Sequence, residues 1–468
     1  MDVAALLRPI VGERGLLSSA ADMAGYTTDW RGLYHGRAAC VVRPADTAEL
    51  ARVVAACTAA DIAMVPQGGN TSMVGGATPS EDGVQVVIST ARMTAIRYID
   101  PLDMTMTIEA GVTLKAAQEA AKAVGCMLPL SISSEGSAQI GGVLAANAGG
   151  NNTVRHGNAR DLVLGLEVVM PDGRVWNGLR RLRKDNTGYA LRHLFVGSEG
   201  TLGIISAAVL RLVPAPREVA VALCALPSVA AALALFSRAR AADAGALQAF
   251  EYMSGASMAL VTSLIDGATL PLGEPAPHYA LLEFAAAREN AGLRAMLETV
   301  LEAALETGDV LDAVLAESET QRLALWRLRE EHSEAQKRAG ASVKNDVSVP
   351  ISRIPELLSR AAAACETVVP GVVVAPFGHI GDGNIHLNLV QPAGADGAGF
   401  LARGHALMDA VTAIVLDLDG SFSAEHGIGR LKVDMLREWR GGVELDAMRA
   451  IKTALDPRGL MNPGKLFA

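Results

Sequence analysis

The stretch Pro376-Phe377-Gly378-His379-Ile380-Gly381-Asp382-Gly383-Asn384-Ile385-His386-Leu387-Asn388-Leu389 sets two imidazoles seven residues apart among glycines and amides. From Asn384 to Leu389 polar and apolar residues alternate, which is the period of a half-buried strand. Ile385, Leu387 and Leu389 then face a core, while Asn384, His386 and Asn388 share the other face. His379 falls on the glycine-rich turn before this strand, where the backbone can bend back, so both imidazoles can aim at one point. A second segment, Ser423-Ala424-Glu425-His426-Gly427-Ile428-Gly429-Arg430, sets a carboxylate beside a third histidine. Two histidines and one carboxylate are a common ligand set for a divalent metal with a position open to substrate. His379, His386 and Glu425 are therefore the candidate ligands. The competing reading is a set of histidines that are merely hydrogen-bonded, and spacing alone does not join His386 to Glu425.

A second kind of chemistry is written in glycine. Val65-Pro66-Gln67-Gly68-Gly69-Asn70-Thr71-Ser72-Met73-Val74-Gly75-Gly76 follows an apolar run, and small residues in succession let backbone N–H groups converge on an anion. No Gly-Lys-Ser/Thr follows, so it is not a Walker A loop, and it is not GxGxxG. Three further segments share its character: Ser134–Gly142, Ala146–Asn151 and Gly197–Gly203. Glycine costs backbone entropy, so four such runs point to close approach by an extended ligand such as a dinucleotide with its pyrophosphate.

These sites must be carried by a large scaffold. The chain has 468 residues, half of them hydrophobic, enough for two or three domains. A net charge of −9 without a long basic run argues against nucleic acid as partner. Five scattered cysteines with no CxxC pair argue against a disulfide framework. The uncharged run Val219–Ser237 is divided at Pro227-Ser228, so it reads as a strand and then a helix rather than a transmembrane segment. Nothing at the N-terminus has the pattern of a leader, and the reading is a soluble, cytoplasmic protein.

Short β runs alternate with glycine turns from Ala38 to Pro214, with helices over Thr47–Ala60 and Leu114–Val124; Asp46 is a candidate cap of the first. Pro214-Ala215-Pro216 marks a boundary. Beyond it the order strand, helix, helix, strand, helix, strand, then a helix and the histidine strand, reads as α+β with an antiparallel sheet. A long helix is expected over Ser318–Ala339, with Ser318 as N-cap and with Arg329 and Ser333 on one face. A strand is expected over Ser342–Pro350, with Lys344, Asp346 and Ser348 on one side. By residue type alone, Arg329 and Lys344 fit solvated positions better, a charged helix face and an exposed strand edge.

The segments Pro66–Gly76, Gly141–Gly150, Leu182–Tyr189, Phe195–Ile205 and Met461–Lys465, in this order, resemble the PCMH-type FAD-binding flavoproteins, the family that includes vanillyl-alcohol oxidase. With GHIGDGNIH and SAEHGIG added, nearly the whole chain is similar to the D-2-hydroxyglutarate dehydrogenase family and its D-lactate and glycolate relatives. The resemblance implies a PCMH-type FAD domain over 1–214 (about 36–214), a substrate and metal domain over 215–453, and a C-terminal segment, 454–468, packing back on the FAD domain. It implies that Pro66, Gln67, Gly68, Gly69, Asn70, Thr71, Ser72 and Gly75 wrap the pyrophosphate. Ser137, Gly141, Gly142, Asn147, Gly150, Glu199, Gly200, Ile205 and Asn462 would line the rest of the FAD. Members that hold flavin covalently through this loop have a histidine there; this chain has Asn70, so non-covalent FAD is expected.

The resemblance also assigns Arg329, Ser333 and Lys344 to the substrate carboxylate, with Ser333 where relatives often have threonine. It makes His426 the base that takes the hydroxyl proton, makes Asn388 a substrate contact, and makes zinc, or else manganese, the metal. The implied substrate is a small D-2-hydroxy acid, D-2-hydroxyglutarate first, with D-lactate, glycolate or D-malate as alternatives and a non-redox flavin transferase as a distant one. An electron-transfer flavoprotein, cytochrome or quinone would accept the electrons, and a homodimer is expected.

Overall fold

In the computed structural model, which describes Met1–Phe467, the chain forms two compact units. One comprises Met1–Gly149, Gly157–Ala215 and the chain from Glu425 onwards; the other comprises Gly150–His156 and Pro216–Ala424. The first unit thus resumes at Glu425 and not at 454, and Gly150 lies with the second.

Two sheets, of four and five strands, dominate the first unit beside the short pair Cys126–Met127 and Val213–Pro214. Val86–Ser89 lies between Cys40–Val42 and Met64–Gln67 and runs parallel to both. Asp46 caps the helix Thr47–Ala59 by accepting from Glu49 N at 2.8 Å, which satisfies a donor that has no partner inside the helix. Its buried residues Leu50, Val53, Val54 and Cys57 pack on the sheet with Val86 and Ile88. The C-terminal tail extends this sheet: Asn462 N donates to Met64 O and Met64 N to Leu460 O, both at 2.8 Å. A second, antiparallel sheet of five strands follows the order Ile96–Asp100, Thr105–Glu109, Ile204–Arg211, Val163–Val169, Val175–Gly178.

The second unit is built on a seven-stranded antiparallel sheet. Its order is Asp312–Leu315, Glu218–Leu226, His278–Ala286, Leu247–Ser254, Phe377–Gly378, Asn384–His386, Asp346–Ser348. Glu218–Leu226 sends Ala220, Ala222, Cys224 and Leu226 into one core and Val221, Leu223 and Ala225 into another. A strand buried on both faces needs apolar residues on both, which explains the uncharged run beginning at Val219. The next helix starts at Val229, with Ser228 accepting from Ala231 N at 3.1 Å.

Four local expectations change. The strand Leu247–Ser254 is missing from the order read beyond Pro216; all its residues are buried, so no alternation marks it. The helix Ser318–Ala339 is two helices, Glu319–Glu330 and His332–Ala339, broken at Glu331 (φ −80°, ψ −2°) with neither proline nor glycine to announce the break. The strands expected over 342–350 and 384–389 are each split into Ser342–Val343 with Asp346–Ser348, and Asn384–His386 with Leu389–Val390. The parts belong to different sheets. Asn345 makes the switch: its Nδ2 donates to Leu387 O at 3.0 Å, and its own carbonyl accepts from Leu387 N at 2.8 Å. Ile385, Leu387 and Leu389 nonetheless all enter the core, as their spacing predicts.

Candidate active site

In the first unit, the strand Met64–Gln67 delivers the chain into the loop Gly68–Gly76 at its C-terminal end, the end where parallel sheets bind ligands. Side chains hold the loop's shape. Gln67 is buried and its Nε2 donates to Tyr26 O at 2.9 Å and Ala77 O at 2.8 Å, tying the loop's ends. Asn70, at φ +53°, donates to Thr28 O at 2.8 Å and Gly25 O at 3.1 Å. Ser72 Oγ accepts from Gly76 N at 3.1 Å. These side chains build the cradle, and what they leave for a ligand is backbone.

Two of the glycine segments touch: a Cβ on Gly69 would lie 1.9 Å from Ser137 O. Backbone cannot yield so far, so Gly69→Ala is expected to lower stability by about 1–3 kcal/mol, read as a lower urea midpoint at unchanged slope. Gly142 is exposed with open space where a Cβ would sit, whereas Gly141 packs against Ala110. Asn147, at φ +52°, accepts from Arg160 N at 2.9 Å, and the Ile205 side chain packs in the core. Gly200 closes on the Pro66 ring.

Glu199 is half-buried, with its carboxylate engaged within the protein. Its carboxylate accepts from Ile428 N and Gly429 N, both at 2.7 Å, and so pins the loop that begins with Glu425-His426. Burial raises its pKa, against the two N–H groups and nearby Lys432, which favour the charged form. Gly427 has room only for hydrogen, because a Cβ would meet Glu199 Oε1 at 2.7 Å. Asn462 Nδ2 donates to Glu199 O at 2.7 Å and Gly76 O at 3.0 Å, joining the tail to the cradle. Its Oδ1 is buried with no protein partner among the described residues, which leaves an acceptor for a ligand's donor. The residues present therefore fit a dinucleotide ligand.

In the second unit, residue types that sequence spacing could not join converge on one carboxylate. Glu251, wholly buried in the strand Leu247–Ser254, accepts from Arg329 Nε at 2.8 Å and from His379 Nδ1 at 2.8 Å. Burying a large apolar neighbour such as Phe250 or Tyr252 contributes about 2 kcal/mol. An unpaired buried carboxylate costs several kcal/mol, so the strand depends on both partners. Burial alone would raise the Glu251 carboxyl, but His379 and Arg329 outweigh it and hold it below the usual range.

A carboxylate only accepts, so the His379 Nδ1 that faces it carries a proton. The His386 ring lies 5.6 Å away, centroid to centroid, at 76°. Its Nδ1 is 3.7 Å from Asp346 Oδ1, which also accepts from Asn384 Nδ2 at 2.9 Å. Phe377 floors the group, 5.0 Å from the His386 ring and 5.0 Å beneath the Arg329 guanidinium. Asp382 completes it; burial pushes its carboxyl up to about 6 against the pull of His379.

Ala424 N, at the end of the second unit, donates to Asp346 O at 3.2 Å. His426 Nε2 lies 4.0 Å from Glu425 Oε1. As residue types, imidazoles and a carboxylate are a donor set that suits a divalent metal.

The other predicted substrate residues are placed differently. Arg329 is buried, Lys344 half-buried and Ser333 exposed beyond the helix break. Asn388 is buried and its Nδ2 donates to Gln336 Oε1 at 2.8 Å. Gln336 donates on to Ser257 Oγ at 3.2 Å, which meets His332 Nδ1 at 2.8 Å. Sequence reasoning missed Glu251, Asp346 and this relay. A lone acid inside Ala249-Phe250-Glu251-Tyr252-Met253 was the signal available for the first.

His332 is stacked on Phe377 and fully buried, and burial drives its pKa down to about 3. The folded protein keeps this histidine neutral while the unfolded chain protonates it near 6.5. Stability is therefore full above about pH 6.5 and falls as the pH drops toward 3. Urea melts between pH 7.5 and 5 should show that loss, and His332→Phe, which cannot titrate, should flatten it.

Comparison with known proteins gives the class. The FAD binding domain family matches residues 38–178, and the C-terminal domain of the FAD linked oxidases matches residues 215–466. The chain belongs to the FAD-linked oxidase family. Within it, the chain is closely related to the D-2-hydroxyglutarate dehydrogenases. It is 39% identical over 452 residues to that of Xanthomonas citri pv. viticola, covering 97% of this chain and 94% of the relative. It is 37% identical over 470 residues to the mitochondrial one of Bos taurus, covering 100% of this chain and 83% of the relative.

Solved structures share the fold. p-Cresol methylhydroxylase superposes at a TM-score of 0.77 with 15% identity over 99% of this chain and 96% of that one. Alkyldihydroxyacetonephosphate synthase gives 0.74 with 17% identity over 98% and 85%.

The expectation of a cytoplasmic protein is overturned. The relatives from Bos taurus, Rattus norvegicus, Danio rerio, Arabidopsis thaliana and rice are mitochondrial. Buried, unpaired thiols fit any reducing compartment and do not choose one. No helix among the described residues is long and apolar enough to cross a membrane.

Proposed function

We propose that this chain is an FAD- and metal-dependent dehydrogenase that oxidises a D-2-hydroxy acid, D-2-hydroxyglutarate in the first place, to the 2-oxo acid. The observation that carries this reading is the buried Glu251, which fixes a cation, Arg329, and a ligand-ready imidazole, His379, 2.8 Å from its two oxygens. A carboxylate and an α-hydroxyl on adjacent carbons need that combination.

FAD, in the cradle of Gly68–Gly76, Gly142 and Asn462, supplies the acceptor for the hydride on C2 when bound. A zinc or manganese ion held by His379, His386 and Glu425 supplies a Lewis acid that makes the 2-hydroxyl more acidic.

The chain's own residues do the rest. Arg329 has its Nε committed to Glu251 and offers its two terminal nitrogens as a fork for a planar carboxylate. Lys344 adds a point charge. His426, as a neutral imidazole, takes the hydroxyl proton. Asn388 and Gln336 hold the neighbouring wall through their 2.8 Å hydrogen bond. With Asn70 tied to backbone carbonyls and no histidine in the loop, the flavin is held without a covalent bond.

The test is anaerobic mixing of the purified flavoprotein with D-2-hydroxyglutarate, D-lactate and D-malate, before and after chelation. Bleaching of the flavin is expected with D-2-hydroxyglutarate at the highest kcat/KM. Chelation should slow it by about 10²-fold or more, and zinc should restore it. Unchanged bleaching after chelation defeats the metal role, and no bleaching by any of the three defeats the dehydrogenase.

A further inference from the structure

We propose that Glu251 is a positioning residue that couples metal affinity to substrate-carboxylate binding by holding Arg329 with one carboxylate oxygen and His379 with the other. This rests on the reading of His379 as a metal ligand and Arg329 as the carboxylate fork.

The coupling follows from the bonding capacity of one side chain. Arg329 Nε lies 2.8 Å from Glu251 Oε2, and His379 Nδ1 lies 2.8 Å from Glu251 Oε1. Both partners donate, so the bridge must accept twice, and only an ionised carboxylate can do so in this position. The Glu251 side chain is 0% exposed and the Arg329 side chain 8%, so water does not stand in for either partner. Glu251 sits in the centre of a sheet, with its strand paired to His278–Ala286 on one side and to Phe377–Gly378, which leads directly into His379, on the other. The carboxylate is therefore fixed by the sheet itself, and it transmits that fixity to two side chains from different elements.

Two consequences follow. His379 is held with its proton on Nδ1, the tautomer in which Nε2 is the ligating nitrogen, and its basicity rises through the hydrogen bond to a charge. Arg329 is held at Nε, so its terminal nitrogens are oriented before any substrate arrives and less entropy is lost on binding. A glutamine at this position keeps the shape but brings one oxygen and one NH2 to two donors. One of them must turn away, or His379 must adopt the opposite tautomer.

The experiment uses the flavin-loaded protein stripped of metal by chelator. Zn2+ alone is titrated against a chromophoric chelator, and substrate KM is measured separately after reloading. For Glu251→Gln the expected result is a 10–100-fold weaker zinc affinity, of the size seen when a ligand histidine loses its hydrogen-bonded partner, about 10–100-fold. KM for D-2-hydroxyglutarate rises in the same variant, with flavin content kept. Arg329→Lys serves as the contrast: KM rises while zinc affinity stays within twofold of the starting protein, about the scatter of the titration.

Should Glu251→Gln lose its flavin or fail to fold, Glu251→Asp carries the same readouts, because it keeps the charge and loses about 1.5 Å of reach. Zinc affinity unchanged in Glu251→Gln, or in Glu251→Asp where that is the variant that folds, overturns the coupling. Failure of the underlying reading looks different: the unsubstituted protein then binds no zinc at all.

Discussion

Replacing His386 with alanine yields a protein that keeps its flavin, no longer retains zinc through gel filtration, and reduces its flavin with D-2-hydroxyglutarate about 10³-fold more slowly. The size follows from what the site is asked to do. A 2-hydroxyl in water gives up its proton far too reluctantly for fast hydride loss from the same carbon, and a Lewis acid supplies several kcal/mol of that deficit. His386 is half-buried on the short strand Asn384–His386, with the Phe377 ring at 5.0 Å on one side and Asp346 at 3.7 Å on another. It lies in no structural core, so its loss should leave the fold intact. Metal content by elemental analysis and single-turnover bleaching are the measurements. Full activity in His386→Ala toward every D-2-hydroxy acid would show that the imidazoles are structural.

The second large effect is expected at Glu199, whose carboxylate is engaged by two backbone N–H groups. Glu199→Ala strips the acceptor from Ile428 N and Gly429 N, each held at 2.7 Å, and leaves two part-buried donors without it, at a cost of about 1 kcal/mol each. The loop released in this way starts with Glu425 and His426. Catalysis tolerates little displacement of a base, and a shift of about 1 Å costs about 10²-fold. The expected result is therefore a kcat lowered by about 10²-fold or more, with KM changed little and with a lower melting temperature. Glu199→Gln keeps one oxygen and should fall between. A variant that loses flavin and leaves the kcat of its remaining holoenzyme untouched would return Glu199 to a simple cofactor contact.

Both effects depend on charges that the fold has enclosed, and this is where sequence and structure part company. The Asn384–Leu389 alternation is a local property and it told the truth about faces: Ile385, Leu387 and Leu389 are all in the core. Local signals also placed the caps at Asp46 and Ser318 and the glycine loop after the strand ending at Gln67. They failed where a strand is buried on both sides, as with Leu247–Ser254, because nothing then alternates. They failed again at Glu331, where a helix breaks under tertiary packing without a breaker residue.

By itself the sequence determined the chemistry on offer: the histidines and carboxylates, the glycine segments whose ligand must be approached by backbone, and a family resemblance that runs the length of the chain. The tertiary structure decided how those groups are employed. Glu199, read as a flavin contact, also holds a loop, and Asn70 and Gln67 spend their amides on carbonyls. Glu251, unremarked among apolar neighbours, became the anchor of Arg329 and His379. The physical reason is that a buried charge is tolerable only with its partners in place. Those partners come from strands and helices 78 and 128 residues away along the chain, a distance over which no periodicity carries information.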